Sequence, residues 1–142
     1  MEPLSLSGLP ENPLLLIDSA PIIYVLEDHP EFAPVFKPVF VAHAERRARF
    51  AVTTVTLAEV LTGPLSENNE VLAERYRATL RSWFVVELDA EVAESAVRLR
   101  ATMKLKLADA IQAASALTIG ADALVTHDCD FSALRDLCVL GA

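Results

Sequence analysis

The chain has 142 residues, of which 53% are hydrophobic, and its formal net charge is −8. This length supports one domain whose core needs no disulfides or structural metal. The acidic balance argues against a nucleic-acid partner, because a typical binder presents a basic face to phosphates, although the net charge does not fix the local charge. The opening residues contain neither a basic region nor a long apolar run. We therefore expect no signal peptide or membrane span, and a cytoplasmic location.

The mean hydropathy of +0.36 is high for a protein of this size. Such a value favours strands that are buried on both faces, and an apolar surface that a dimer would cover. Residues 1–13 contain several prolines and no apolar run, and they are interpreted as a flexible leader. The remaining residues, 14–142, are interpreted as a single domain.

The first strand is predicted at 14–18, where the sequence LLLID ends in an acid. A helix follows in SAPIIYVLE, with Ser19 as its N-cap and Pro21 in its first turn. Asp18 therefore lies at the carboxyl end of the strand. The next helix is expected to be interrupted, or to begin, near Pro38.

A second strand is predicted in AVTTV (51–55), because β-branched residues favour extended structure. Thr56 is predicted to begin a helix that contains Glu59 and stops at Gly63-Pro64. A helix is predicted over 67–82, a third strand over 84–88, and a helix over 90–103. Glu59, like Asp18, comes shortly after a strand.

The stretch from Leu105 to Phe131 brings two further acids into one helix-turn-strand unit. Asp109 is predicted to open the helix, and Gly120 to end it with a positive φ. The strand ADALVT (121–126) follows, and Asp128 comes directly after it. A short helix at FSALRDL and a final strand at CVL (138–140) complete the pattern. Strands that alternate with helices indicate a parallel or mostly parallel sheet of about five strands, covered on both faces.

Four acids thus come from distant parts of the sequence to the same predicted edge of the sheet: Asp18, Glu59, Asp109 and Asp128. In open α/β sheets, ligands bind outside the carboxyl ends of the strands. Carboxylate oxygens suit Mg²⁺ or Mn²⁺, hard ions that keep several waters and bridge to phosphate oxygens. Such ions activate water and stabilise in-line phosphoryl displacement. The four acids are therefore the candidate metal ligands and catalytic residues.

Each acid also has a purely structural interpretation. Thr56-x-x-Glu59 matches a capping box, and Asp109-x-x-Gln112 resembles one. The first of the four acids could favour a helix N-terminus through the helix dipole, and the last could close an Asx-turn. These interpretations are strong for one acid taken alone. The occurrence of all four at one predicted edge favours a site.

Three residues are candidates for a supporting role. Thr126 could orient a carboxylate or a water, although a Thr that ends a strand is common. Asp130 could cap the helix at Phe131 or act as an outer metal ligand, and Ser19 adjoins the first acid. His127 is predicted to be a solvated loop residue. The histidines show no spacing typical of zinc ligands.

Basic residues that could guide a phosphate backbone occur in two groups. A charged helix face is usually only solvated, so this role stays open beside the structural one. The residues are Arg46, Arg47, Arg49, Arg100, Lys104 and Lys106.

At these motifs the chain resembles the PIN-domain nucleases, most closely the VapC-type toxin ribonucleases of bacterial toxin–antitoxin pairs. The segment LLLIDSAPIIYVLE resembles the family's first strand, TLAEVL its Glu-bearing helix, LADAIQAA its Asp-bearing helix, and LVTHDCDF its Thr-x-Asp-x-Asp-Phe end. The resemblance implies a three-layer α/β/α sandwich and a single nuclease domain over 14–142. It also implies cleavage of RNA that depends on Mg²⁺ or Mn²⁺, a homodimer, and inhibition by a cognate antitoxin.

The sequence departs from the family pattern at two positions. Ala20 stands where the family often has Asn, and Ala108 stands where Pro often precedes the acid. Ala20 also argues against a phosphatase of the haloacid-dehalogenase type, which needs a second Asp there. The glycines are too scattered for a Rossmann or P-loop domain. The remaining alternative is a catalytically silent PIN-like module that binds RNA or protein.

Overall fold

A five-stranded, fully parallel sheet forms the centre of the protein, in a computed structural model that describes residues 2–127, 131 and 137–141. Along the sheet the strand order is β3-β2-β1-β4-β5. The strands are β1 (Leu14–Ile17), β2 (Arg49–Thr53), β3 (Phe84–Val86), β4 (Ala123–Thr126) and β5 (Val139–Gly141). All five strands that the sequence predicts are present, and the prediction of a parallel sheet is confirmed.

Helices cover both faces of this sheet. They are α1 (Ser19–Leu26), α2 (Ala33–Ala44), α3 (Thr54–Ser66), α4 (Glu70–Arg81), α5 (Ala90–Met103) and α6 (Leu107–Thr118). Helices α1 to α4 contribute to the core on one face, and α6, backed by α5, packs on the other. The predicted three-layer α/β/α sandwich is therefore confirmed.

Alternate residues of the buried strands point to opposite layers, because side chains alternate across a strand. Leu15 and Ile17 of β1 pack on the face of α1 to α4, together with Phe36. Leu16 packs on the other face against Ala113 and Ala116 of α6. The small alanines of α6 let this helix approach the sheet closely, which brings its polar side chains to the edge of β1.

The order in which the chain adds strands to the sheet reverses between β1 and β4. From β1 the chain first adds β2 and β3 on one side and then β4 and β5 on the other. In open α/β sheets such a reversal creates a crevice outside the carboxyl ends of the two strands, here β1 and β4, and ligands bind there. The Asp18 N–H donates to the Val125 carbonyl at 2.9 Å and ties these two strand ends together.

Several helix boundaries differ from the prediction. Helix α3 begins at Thr54 and is capped by Thr53, whose Oγ1 accepts the Thr56 N–H at 3.1 Å. It also continues through Gly63 and Pro64 to Ser66. A proline this close to the end of a helix removes few hydrogen bonds, and the burial of Pro64 offsets that loss.

Two other helices also differ from the prediction. Helix α2 passes through Pro38 without interruption, and α4 begins at Glu70 after the N-cap Asn69. Gly120 adopts a φ of +65°, so the predicted positive φ is confirmed. The predicted helix at FSALRDL lies largely outside the described residues.

Residues of the N-terminal leader contact the domain. The Leu4 N–H donates to the Val35 carbonyl at 2.9 Å, and the side chains of Leu4, Leu6 and Leu9 pack against the core. The flexibility of this segment stays a prediction. Within the described residues, no helix is both long enough and apolar enough to cross a membrane.

Candidate metal centre

Asp18 lies in the crevice between β1 and β4, at the carboxyl end of β1. It is the N-cap of α1, and its Oδ1 accepts the N–H of Ser19 at 2.8 Å. Ser19, which the sequence suggested as the cap, is instead the first residue of the helix. The same Oδ1 accepts from Gln112 Nε2 at 2.8 Å, and Oδ2 accepts from Thr126 Oγ1 at 2.8 Å. The half-buried carboxylate is thus held by three donors from three parts of the chain.

A network of buried polar side chains is hydrogen bonded to this carboxylate. Gln112 Nε2 also donates to Thr56 Oγ1 at 2.7 Å, and Thr53 Oγ1 donates to Gln112 Oε1 at 2.8 Å. All four supporting side chains are buried, with exposed fractions of 1% or less. We call this set the Asp18 network; its members are Asp18, Thr53, Thr56, Gln112 and Thr126. Buried polar groups that are fully paired rigidify their surroundings.

Glu59 reaches the same place from α3. Partial burial of its carboxylate raises its pKa above the usual 4.5, the negative charge of Asp18 raises it further, and a hydrogen bond from the Ser19 side chain lowers it. The residue is exposed at the surface of α3. Asp18 and Glu59 therefore interact electrostatically, and Ser19 contacts both acids.

Asp109 lies in the first turn of α6 and is half-buried. The helix begins at Leu107 after the N-cap Lys106, so it starts two residues before the predicted Asp109, and the alternative interpretation of Asp109 as a cap is wrong. Residues three apart on a helix lie on the same face. Asp109 therefore shares the face of Gln112, whose amide contacts Asp18.

The fourth predicted acid, Asp128, and the candidate outer ligand Asp130 both lie outside the described residues. Thr126 ends β4 and donates to Asp18 as described above. No group of three His, Cys, Asp or Glu side chains is placed to hold a metal ion within residues 2–127, 131 and 137–141. The assignment of the four acids as metal ligands therefore stays a prediction.

The donors present in the crevice nevertheless fit a hard divalent cation in their chemistry. Their carboxylate and hydroxyl oxygens are the type that Mg²⁺ and Mn²⁺ prefer. Burial, and to a smaller extent the negative charge of Asp18, raise the pKa of Glu59 and so disfavour its ionised form. A bound cation would reverse the sign of the local potential and favour that ionised form.

The basic residues divide between opposite ends of the molecule. Arg49 begins β2 beside Leu14, at the amino end of the sheet, and Arg46 and Arg47 directly precede it. Those three cations lie away from the crevice. Lys104 and Lys106, by contrast, are exposed in the short connection between α5 and α6, close to Asp109.

His127 is not a solvated loop residue, so that prediction is wrong. It is half-buried, and its Nδ1 hydrogen bonds with the Tyr24 hydroxyl at 2.8 Å. Its ring also contacts Phe32 and Phe36, with centroid distances of 4.5 and 6.0 Å. These rings come from α1, α2 and the segment between them, so no local pattern indicates the burial.

Sequence reasoning also missed Gln112, Thr53 and Thr56 as parts of the site. One signal was available, since a Gln within the apolar stretch AIQAASA occupies a position that would otherwise be a core residue. A buried amide needs partners, and such a Gln three positions after a candidate acid points to the same pocket.

The chain belongs to the PIN domain family, whose model matches residues 15–137. Solved structures with this fold include the toxin–antitoxin complex from Klebsiella pneumoniae, at 26% identity and a TM-score of 0.71, with 87% of this chain and 94% of that chain covered. The family predicted from the sequence is therefore confirmed. No curated protein sequence matches the chain.

Two further structures show the same fold at lower identity. VapBC2 from Rickettsia felis, bound to a DNA fragment from their promoter, is 16% identical with a TM-score of 0.72, and covers 91% of this chain and 98% of that chain. VapBC-1 from nontypeable Haemophilus influenzae is 20% identical with a TM-score of 0.68, and the match covers 90% of this chain and 97% of that chain. The similarity spans nearly the whole length of these chains.

Proposed function

We propose that this protein is the toxin of a toxin–antitoxin pair and acts as a cytoplasmic endoribonuclease that depends on Mg²⁺ or Mn²⁺. The observation that carries the proposal is the Asp18 carboxylate, held by three donors in the crevice of a PIN domain and interacting with Glu59. Membership of the PIN family and the likeness to toxin–antitoxin structures support the same function.

The proposed metal ligands are Asp18, Glu59, Asp109 and Asp128. A divalent cation bound to them would supply an activated water and stabilise charge on the phosphate that is cleaved. The chain's own contribution is to hold Asp18 in one orientation through Gln112 and Thr126. The Ser19 side chain positions Glu59 through its hydrogen bond.

Lys104 and Lys106 are the proposed contacts to the RNA backbone, with Arg100 one turn earlier in α5. Lys106 is the N-cap of α6 and makes no side-chain capping bond there. A cation at a helix N-terminus is unfavourable for the helix dipole, so its position favours a role in binding anions over a role in folding. This arrangement gives an acidic protein a local basic surface beside its acidic crevice.

Cleavage of RNA by the purified protein tests the nuclease function. We expect activity with Mg²⁺ or Mn²⁺, loss of activity with a chelator, and loss of activity in Asp109→Asn with the fold retained. Cleavage that is equal in the wild type and in Asp109→Asn, or undiminished by chelator, would assign the activity to a contaminant. A protein that binds RNA without cutting it would be the catalytically silent module.

A matched pair of variants tests the RNA contacts. Lys104→Ala with Lys106→Ala should weaken RNA binding and reduce its dependence on salt, because each phosphate contact releases counterions. Arg46→Ala with Arg47→Ala removes the same charge at the opposite end of the sheet and should leave binding nearly unchanged. Equal effects of the two pairs would contradict the proposed surface.

The proposed partner is a cognate antitoxin, which would prevent damage to the host. An Arg from the antitoxin could pair bidentately with a carboxylate of the crevice and exclude the cation. An amphipathic segment of the same partner would lie on the apolar surface around residues 22–40. That surface is formed by half-buried side chains of α1 and of the segment that follows it: Ile23, Tyr24, Val25, Leu26 and Phe32.

Coexpression with the product of the adjacent upstream reading frame tests this partner. We expect the two chains to copurify and ribonuclease activity to be suppressed. A small adjacent frame whose product neither binds nor inhibits would refute the antitoxin while the nuclease assignment stands.

A homodimer is also proposed, because several large apolar side chains are exposed: Val41, Val71, Phe84, Val97, Leu107 and Leu117. Sedimentation at several protein concentrations tests it, and a monomer throughout would refute it.

A further inference from the structure

We propose that Gln112 is a positioning residue that fixes the orientation of the Asp18 carboxylate and leaves one defined oxygen, Oδ2, for the cation. This inference rests on the proposed function and deepens it. Gln112 is buried in the Asp18 network and links α6 to Asp18 at the end of β1, to β2 and to α3. It does not belong to the acidic constellation that the sequence analysis assigned.

The orientation of the Gln112 amide follows from its partners. An ionised carboxylate only accepts hydrogen bonds, so the nitrogen of the amide must face Asp18. That nitrogen has two hydrogens; one goes to Asp18 Oδ1 and the other to Thr56 Oγ1. The oxygen faces Thr53, whose hydroxyl donates to it at 2.8 Å. Both N–H groups of the amide are therefore engaged and its oxygen is anchored.

Two threonines fix the far side of the amide. Thr53 Oγ1 accepts the backbone N–H of Thr56 as the helix cap, so its own hydrogen is available for Gln112 Oε1. Thr56 Oγ1 accepts from Gln112. Because the amide cannot rotate by 180° without losing these contacts, one of its N–H groups stays directed at Asp18.

The consequence for Asp18 follows from a count of lone pairs. Each carboxylate oxygen offers about two acceptor positions. Oδ1 already accepts from Ser19 N–H and from Gln112 Nε2, whereas among the residues that the structure describes Oδ2 accepts only from Thr126. The position that remains is on Oδ2. Without Gln112, Oδ1 would keep only the Ser19 N–H, so each oxygen would have one open acceptor position and both would compete for the cation.

Side chains that orient a metal ligand typically change metal affinity by about 10- to 100-fold when they are removed. A residue that only fills the core would change stability and leave the affinity of the folded protein unaltered. Metal affinity is therefore the measurement that separates a positioning role from a structural one.

The test compares Mn²⁺ binding to the wild type, Gln112→Met and Ser115→Ala, measured by electron paramagnetic resonance without RNA. Met has a similar shape and no donors. Ser115 is a matched control, since it lies one turn later on α6, is equally buried at 1% exposure, and is not part of the Asp18 network. We expect Gln112→Met to weaken Mn²⁺ binding by about 10- to 100-fold, and Ser115→Ala to bind like the wild type.

A kinetic readout accompanies the binding measurement. Gln112→Met should need more Mn²⁺ for half-maximal RNA cleavage, while its kcat at saturating Mn²⁺ should lie within about threefold of the wild type. An unchanged Mn²⁺ dissociation constant in folded Gln112→Met would overturn the inference. If Gln112→Met does not fold, Thr53→Val decides, because it removes the hydroxyl that anchors the amide oxygen and caps α3 but leaves Gln112 itself in place; weaker Mn²⁺ binding by the folded variant supports the inference and unchanged binding overturns it.

Failure of this inference is distinguishable from failure of the proposed function. A wild type that binds Mn²⁺ and cuts RNA, with both variants binding equally well, refutes the role of Gln112 alone. A wild type that binds no Mn²⁺ refutes the metal centre itself, and the inference with it.

Discussion

Replacement of Asp18 by Asn or by Ala separates its part in the fold from its part in the proposed metal centre. The Asn side chain keeps an oxygen for the Ser19 N–H and for Gln112 Nε2. Its NH₂ would face Thr126 Oγ1, and a hydroxyl can turn its hydrogen away and accept instead. The hydrogen bonds of the Asp18 network can therefore all be retained without the negative charge.

The expected stabilities of the two variants differ. Hydrogen bonds to a neutral group are weaker than those to a charged one, but Asn also relieves the repulsion from Glu59. The free energy of unfolding of Asp18→Asn should therefore lie within about 1 kcal/mol of that of the metal-free wild type. Asp18→Ala loses the cap of α1 and leaves a buried N–H of Gln112 without its acceptor. These losses together cost about 2–5 kcal/mol. Its urea midpoint should fall by about 1–3 M.

Metal should separate the stabilities of Asp18→Asn and the wild type. Mg²⁺ at 100 times its dissociation constant should stabilise the wild type by about 2.7 kcal/mol. It should stabilise neither variant measurably, and neither should cleave RNA. Urea unfolding with and without Mg²⁺, together with a cleavage assay, measures all these quantities. Cleavage by Asp18→Asn at the wild-type rate would refute the metal centre, and an Asp18→Ala as stable as Asp18→Asn would refute the hydrogen-bond argument.

Three further predictions concern pH, a turn and the aromatic cluster. The pKa of Glu59 is raised in the folded protein above its usual value of 4.5. Between pH 4.5 and the pKa of the folded state, the native state therefore binds more protons than the unfolded state, and the stability falls as the pH rises. Glu59→Gln in chelator should therefore stabilise the protein at neutral pH and lose this advantage in acid below 4.5; an equal difference at both pH values contradicts the reasoning. Gly120→Ala should cost about 1–2 kcal/mol in chemical denaturation, because φ is +65° although the space for a Cβ is open; no loss would show that the turn relaxes. Tyr24→Phe should cost about 1 kcal/mol by removing the hydrogen bond to His127, and it should change the chemical shift of the His127 ring. Phe40→Leu changes a ring outside this cluster and is the control, because it should leave that chemical shift unaltered.

The strands, most helices and the edge that carries Asp18 could be predicted because the signals are local. Buried parallel strands are short apolar runs, and LLLI and ALVT are buried almost throughout. The end of a strand is visible in the sequence, and parallel strands place their carboxyl ends at one edge. The sequence therefore predicts Asp18 and Thr126 at the same edge, and the hydrogen bond between them is a result of the fold.

Helix ends were less predictable, since packing competes with local preference. Gly63 and Pro64 indicate a stop, yet α3 continues to Ser66 and Pro64 is buried near the helix end. Thr56 and Asp109 match the spacing of caps, but Thr53 and Lys106 occupy the N-cap positions. A capping pattern extends over four residues, and a neighbouring threonine can satisfy the same donors.

Only the tertiary structure decided which polar groups meet. The Asp18 network joins residues up to 108 positions apart, and its hydrogen bonds exist only after β1, β2, β4 and α6 have packed. The same packing buries His127 among rings and places Arg46 and Arg47 at the end of the sheet away from Asp18. Sequence patterns determined the elements and their directions, because backbone preferences act over a few residues. The partners of Gln112 were decided by packing, because a hydrogen bond depends on distances of about 3 Å that no local preference specifies.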